Sequence, residues 1–328
     1  MTTPLPVGPL TPYVSPELLM QAPTGCDFFS IPPGGLVSGV IPSANTAELS
    51  NICARATDLV DLACRQPLRA TIDTLPLYGP GAPRVRVPRG SQPVTLIMTR
   101  WPVLEVVSVQ YSRNEIPYSW SAVPAGLALP AYPPVGLYGS SAPPATGEGG
   151  QAVKLAAGYI DWRYGPEGYA ILTEYVNGWP HAGLAAPATP VTSPAVQTIE
   201  VDDCTGWVIT PAFPGAASGA TGTVYDAGSQ EVIHVTAASA ASGPGTLTLS
   251  APLANKHDAG VIVSCLPQAA GWAAILFCCE IAMERGATAM TMMEIPGREV
   301  AQRAGVDTSY GSPAMWAEKI LAPFARII

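Results

Sequence analysis

Apolar or small residues at Leu49, Ile52, Cys53, Ala56, Leu59, Val60, Ala63 and Cys64 keep the three-and-four spacing that lines one face of a helix. Asn45 with Glu48 three residues on supplies an N-cap pair, and Pro67 ends the run, so the pattern predicts a helix over 45–65. From Leu68 to Tyr111 the period drops to two. Arg84-Val-Arg-Val87 alternates, Val94–Met98 reads as a strand, and Glu105–Tyr111 places Val107, Val109 and Tyr111 on one face. Tyr169–Val176 is a further strand, ended by Asn177-Gly178, a pair that tolerates positive φ. Five short alternating runs follow at 197–201, 222–225, 231–236, 246–249 and 260–265, and Pro267 closes what reads as a small all-β module. Helical period then returns with Trp272, Ile275, Leu276, Cys279, Ala282 and Met283 on one face and Gly286 as a stop. A last helix starts with Ser312 as N-cap and Pro313 at its first position, running through Trp316 and Ile320 toward Phe324.

Three stretches break these patterns. Residues 1–43 carry nine prolines, too many for a helix or a central strand, and read as an extended arm. Residues 112–150, rich in Pro and ending in Gly147-Glu-Gly-Gly150, read as an exposed excursion, and Ala182–Pro194 reads as a linker. The first and last helices lack a complete core unless they pack on each other. The expected fold is therefore α+β: a small helical bundle core with β-hairpin and strand segments at 44–189 and 268–328, and an inserted all-β module at 190–267. A length of 328 residues agrees with about two domains.

Composition adds a constraint on the surface. Charged residues are 12% of the chain and hydrophobic ones 48%, where about 25% charged is usual, so much of the surface is expected to be covered by other subunits. The formal net charge of -8 argues against a basic nucleic-acid binder. The least polar stretch, Val261–Cys279, is interrupted by Pro267, Gln268 and Gly271 and offers no membrane span. The start Met1-Thr-Thr-Pro-Leu-Pro lacks the charge and apolar run of a signal peptide, so synthesis in the cytoplasm is expected. Seven scattered cysteines do not form a secreted disulfide framework and read as small buried hydrophobes, including the adjacent Cys278 and Cys279.

Candidate chemistry is sparse. His181, His234 and His257 stand far apart, and Glu231 lies three residues before His234 on a strand, a spacing that puts the two on opposite faces. His257-Asp-Ala-Gly260 reads as a polar turn, and Asp202-Asp203 as a solvated strand end with no further oxygen ligand at calcium-loop spacing. Walker A, Gly-x-Ser-x-Gly, HExxH and dinucleotide-binding motifs are absent from the sequence. Arg84, Arg86 and Arg89 read as solvent-facing residues of an edge strand. No catalytic, cofactor-binding or metal-ligating residue is predicted, no cofactor is expected, and the chain is not read as an enzyme.

The succession of the helix ending at Arg65, Gln66-Pro-Leu-Arg69, Arg84–Val87, Trp101-Pro-Val-Leu-Glu-Val-Val-Ser-Val109 and Tyr175-Val-Asn-Gly-Trp179 resembles the head-to-tail connector proteins of tailed bacteriophages, the adaptor class. The likeness covers about residues 44–180 and, more loosely, 268–328. The long Pro-rich arm, the excursion and the β module depart from the family, whose members are commonly shorter and mostly helical.

The resemblance implies a structural virion protein at the neck, made in the host cytoplasm, that forms an oligomeric ring, usually a dodecamer. The implied partners are the portal protein, neighbouring copies of the chain, a neck stopper or tail protein, and genomic DNA that passes through the channel without sequence-specific binding; no membrane is involved. The apolar tail Trp316–Ile328 is the expected contact with portal or an adjacent subunit, through Trp316, Ile320, Phe324, Arg326 and Ile328. Completion of the protein's own core is the other reading of that helix. A second function class is a tail or fibre-type protein whose β module recognises a carbohydrate or another virion protein, with Trp207, Phe213 and Tyr225 as its available aromatics.

Overall fold

A computed structural model describes residues 11–24, 26, 28, 42–77, 85–86, 94–113, 117–124, 126–130, 152–156, 169–191, 197–209, 218–284 and 312–325. The chain divides into two compact units. The smaller takes residues up to Gln66, Tyr225–Gln230 and Leu266–Ala325, and the larger takes Pro67–Val224 and Glu231–Cys265.

Strand outweighs helix, with fourteen strands and four α-helices among the described residues. This corrects the expected α+β fold with a helical bundle connector core: the structure is mostly β, built on large antiparallel sheets, and no helical bundle forms its core. The cause is the range of the pairings. Thr71 pairs with Asn177 and Leu77 with Ile171, across roughly a hundred residues, and no local period announces such a partnership.

The smaller unit holds α1 (Pro16–Gln21), α2 (Pro42–Cys64), α3 (Gln268–Glu284) and α4 (Pro313–Leu321). α1 lies in the stretch expected to be an extended arm. Ser15 caps it, its Oγ accepting from Leu18 N–H, and Pro16 sits at the first turn, where a missing N–H costs nothing. The segment docks through fully buried Leu19, through Tyr13 N–H on Thr57 Oγ1 (2.9 Å) and through Tyr13 OH on Asp61 Oδ1 (2.6 Å).

α2 begins at Pro42, three residues before the expected cap, so Asn45 lies inside the helix. Its end is a Schellman turn. Arg65 adopts φ +55 while its N–H bonds Leu62 O and Gln66 N–H bonds Asp61 O, which satisfies two of the last carbonyls before Pro67.

α3 is apolar nearly all round, so its period does not specify a face. The buried stripe is Ala270, Ala273, Ala274, Phe277, Cys278, Ile281 and Ala282, with Cys279 also covered, and Trp272, expected inside, is exposed.

In the larger unit, β1 (Thr71–Leu77), β8 (Tyr169–Asn177), β4 (Val103–Arg113) and β5 (Ser121–Ala122) form one sheet in that order. A second runs β2 (Val85–Arg86), β3 (Val94–Ile97), β7 (Ala152–Leu155), β6 (Ala128–Pro130). Leu96, Met98, Val109, Val153, Ile171 and Tyr175 meet in the core that these strands enclose. The register of β4 slips between Val106 and Ser108, and Val107 at the slip is turned outward, away from the face of Val109. The expected excursion at 112–150 begins with paired strand, since Tyr111 faces Ser121 and Leu129 faces Lys154. Gly147–Gly150, Arg84, Arg89 and Gly286 lie outside the described residues, as does the side chain of Arg86.

The third sheet has six strands in the order β10 (Gln197–Val201), β13 (Gly245–Leu249), β12 (Glu231–Ala238), β11 (Thr221–Tyr225), β14 (Ile262–Ser264) and β9 (His181–Gly183). Five of these correspond to the five alternating runs of the sequence. β9 does not: Ala182 and Gly183, read as the start of a linker, are buried strand paired with Val263 and Ile262. Ala185 N–H bonds Glu200 O and Asp202 N–H bonds Gly183 O, so the chain after β9 returns to β10 and the sheet curls toward a barrel. Ile199, Val201, Val224, Val235, Leu247 and Leu249 fill its inside.

The passage from the first sheet to the third is the corner Asn177-Gly178-Trp179. Gly178 has φ +89, and a Cβ there would stand 2.4 Å from Arg69 O. Its N–H bonds Pro102 O, and Trp179 N–H bonds Leu68 O. Only glycine fits. We predict that Gly178→Ala lowers stability by about 3 kcal/mol or more, whereas Gly228→Ala, at φ +87 with nothing within 4 Å, loses about 1 kcal/mol. Urea denaturation of both variants measures the difference; equal losses would contradict the role given to the corner.

Candidate functional site

α4 forms as the sequence expects. Ser312 Oγ accepts from Met315 N–H at 3.3 Å and Pro313 occupies the first turn. Its inner face is Ala317 and Leu321, both buried, against α3 and α2 of the same unit. Ala314 N–H reaches Glu280 Oε2, and Gln66 Nε2 donates to Phe324 O at 3.1 Å, so both ends of the segment are held.

The outer face carries Trp316 and Met315, 50% and 40% exposed. Lys319 Nζ lies 4.7 Å from the centre of the Trp316 ring, a cation–π contact that steadies the indole without hiding it. The tail residues singled out by sequence thus have different surroundings. Trp316 points outward, Ile320 and Phe324 are half-buried, and Arg326 and Ile328 lie outside the described residues.

The histidines stand apart in the fold as well. His181 Nδ1 is 2.9 Å from Ser264 Oγ, but both residues are buried on the paired strands β9 and β14, closed to a substrate. His234 meets Thr221 Oγ1 at 2.8 Å across an exposed strand pair. Among the described residues no three His, Cys, Asp or Glu gather to hold a metal ion. The acidic pair Asp202 and Asp203 serves the backbone: Asp202 Oδ1 accepts from Gly183 N–H, and Asp203 Oδ1 from Thr205 and from Gly243 N–H.

Two polar locks escaped the sequence reading. Arg100 Nη1 lies 2.9 Å from both carboxylate oxygens of Asp73, and Asn177 Nδ2 donates to the same carboxylate at 2.6 Å, which ties β1 and the β8 corner to the segment before β4. Tyr175 OH meets Thr99 Oγ1 beside it, and Trp101 and Trp179 pack edge to face. The other lock is Glu231 with His257, expected to be only a turn residue. His257 is fully buried with Nε2 2.6 Å from Glu231 Oε1, while the carboxylate also accepts from Ala254 and Asn255 N–H. Residues 26 positions apart carry no local signal for such a pair.

Trp207, a candidate surface aromatic of the β module, is fully buried; a Cβ on Gly222 would stand 2.8 Å from its ring. Tyr225 is half-buried and Phe213 lies outside the described residues. No protein-family model, curated protein or solved structure matches the chain.

Burial pushes the Glu231 carboxyl up, but the hydrogen bonds from Ala254 N–H, His257 and Asn255 N–H outweigh it and hold the group below the usual carboxylate range. A depressed folded-state value contributes stability above the unfolded value and loses it as pH falls through the folded one. Glu231→Gln is therefore expected to be less stable than wild type by about 2 kcal/mol at neutral pH. The gap should close on acidification below the ordinary carboxylate range. Thermal melts from pH 7 to about pH 3 test this, and a gap that stays constant would contradict it.

Proposed function

We propose that this chain is a structural protein of a tailed-bacteriophage virion: a head-to-tail adaptor that forms an oligomeric ring between the portal and the next neck or tail protein. Copies of the chain line part of the channel through which the genome passes, without sequence-specific contact to it. The observation that carries the reading is the outer face of α4, where half-exposed Trp316 sits beside Met315 on a helix anchored from behind by Ala317 and Leu321. An aromatic residue fixed on a rigid helix with open surface around it is the kind of group that dominates protein interfaces.

The sparse charge of the chain agrees with a surface destined for subunit contacts, and its acidic balance suits a channel wall on which DNA slides without adhering. The corner Tyr175–Trp179, which the adaptor-like pattern includes, is a structural joint in which every residue type has a packing or backbone reason. The portal-facing segment in this reading is α4 with the residues after it, a ring of twelve copies is the expected assembly, and the particle neck is its place.

Light scattering of the purified chain, alone and mixed with the portal protein, tests the proposal. A ring, or a monomer that becomes a ring with portal, is expected. Trp316→Ala should weaken portal binding at least tenfold, the loss of about 2 kcal/mol typical of an aromatic anchor, with little change in melting temperature. A chain that stays monomeric and indifferent to portal overturns the proposal.

A further inference from the structure

The sequence contains a single Asn-Gly pair, Asn177-Gly178, and the fold places it at the corner where β8 leaves its sheet. In an open chain this is the dipeptide most prone to lose its side-chain amide, because glycine leaves its own backbone nitrogen unshielded beside the Asn Cγ. In the folded chain both reacting groups are engaged elsewhere. Asn177 Nδ2 donates to Asp73 Oδ2 at 2.6 Å and to Thr71 O at 3.2 Å, both on β1. Gly178 N–H donates to Pro102 O at 2.9 Å, in the residue before β4. Attack needs the nitrogen and the amide carbon to turn toward each other, yet each is tied to a segment on a different side of β8. Asn177 is also fully buried, away from the water that completes the reaction.

We propose that Asn177 is a deamidation site shielded by the closed corner, so that the modification strikes chains in which β8 has not paired and then keeps them from closing it. The Gly178 nitrogen forms a bond to Asn177 Cγ; the Cγ–Nδ2 bond breaks, the amide group leaves as ammonia with the Gly178 proton, and a five-membered succinimide remains. Water then opens the ring. Addition at Cγ gives aspartate, and addition at the main-chain carbonyl carbon gives isoaspartate. Amide plus water thus gives carboxylate plus ammonium, with solvent as the sole co-reactant.

Neither product fits the corner. A carboxylate at 177 has no proton to give, and it would stand where the amide now donates to Asp73, whose two oxygens Arg100 Nη1 already holds. Two carboxylates that close in a buried place cannot both stay ionised without a large cost. Thr71 O would lose its side-chain donor as well. Isoaspartate lengthens the main chain by one methylene at the point where Gly178 already lies against Arg69 O. The same contacts that protect the amide therefore reject its loss.

The test holds the full chain for days in mildly alkaline buffer, with and without denaturing urea, and follows the Asn177 peptide by mass spectrometry. In urea the peptide should gain one mass unit and divide into aspartate and isoaspartate forms. Without urea the change should be at least about a hundredfold slower, since it waits on opening of the corner. When urea is removed, modified chains should be confined to the fraction that fails to refold. Equal rates with and without urea, no reaction in urea, or modified chains present in the folded fraction in their overall proportion would each overturn the proposal. Asn177→Asp, made in the cell, decides the second half where unmodified chains also refold poorly. It should give about tenfold less folded protein than wild type, and adding Asp73→Asn, which restores one amide facing one carboxylate, should recover part of the loss. A wild-type yield from Asn177→Asp alone overturns the proposal as well.

Discussion

The backbone corner at Asn177-Gly178-Trp179 is the constraint on which the larger unit depends. β8 is an inner strand of its sheet, held by β1 on one side and β4 on the other, and at its end the chain must leave that sheet and enter the six-stranded one within four residues. Gly178 allows this because its backbone lies against Arg69 O, where any side chain would collide. Asn177 then fixes the position by donating to the Asp73 carboxylate that Arg100 also grips. Gly206, at φ +75, packs into the same place, with Ala70, Leu104 and Pro180 where a Cβ would go. A single crowded joint thus sets the start of β9, and with it the closing strand of the curled sheet.

A chain so poor in charge uses several of its ionisable groups as internal fastenings. Asp73 with Arg100 joins β1 to the approach to β4, and Glu231 with His257 pins the loop before β14 to the start of β12. In both cases the carboxylate accepts several bonds, which compensates the loss of water around it. The hydrophobic surface left outside is then conspicuous. Trp316 is exposed on the helix whose opposite side is most firmly seated, and its exposure follows from the geometry of α4 rather than from looseness.

Local signals specify elements well and their partnerships poorly. The Ser312-Pro313 start of α4, the Asn177-Gly178 strand end and five strands of the six-stranded sheet follow from caps, turn residues and alternation, all of which act within a few residues. A bundle core is expected because the helical runs flank the strand-rich middle of the chain, whereas the sheets depend on pairings such as Thr71 with Asn177. Val107 left its expected face because a register slip is invisible to a period-two pattern, and Trp272 because an all-apolar helix has no preferred side. α1 was missed among the prolines, although Ser15-Pro16 is the same cap as Ser312-Pro313. Of the site residues, Trp316 was legible as an apolar residue with no need to be outside, but its exposure is a property of the packing of α4.

The proposal that neighbours complete this protein rests on its few charges and on an aromatic residue presented on an anchored helix. Cryo-electron microscopy of the phage particle tests this account most directly. The account predicts a ring of density beneath the portal into which both units of this chain fit, with Trp316 buried at a subunit or portal contact. A neck without this chain, or a ring in which Trp316 faces solvent, would contradict it.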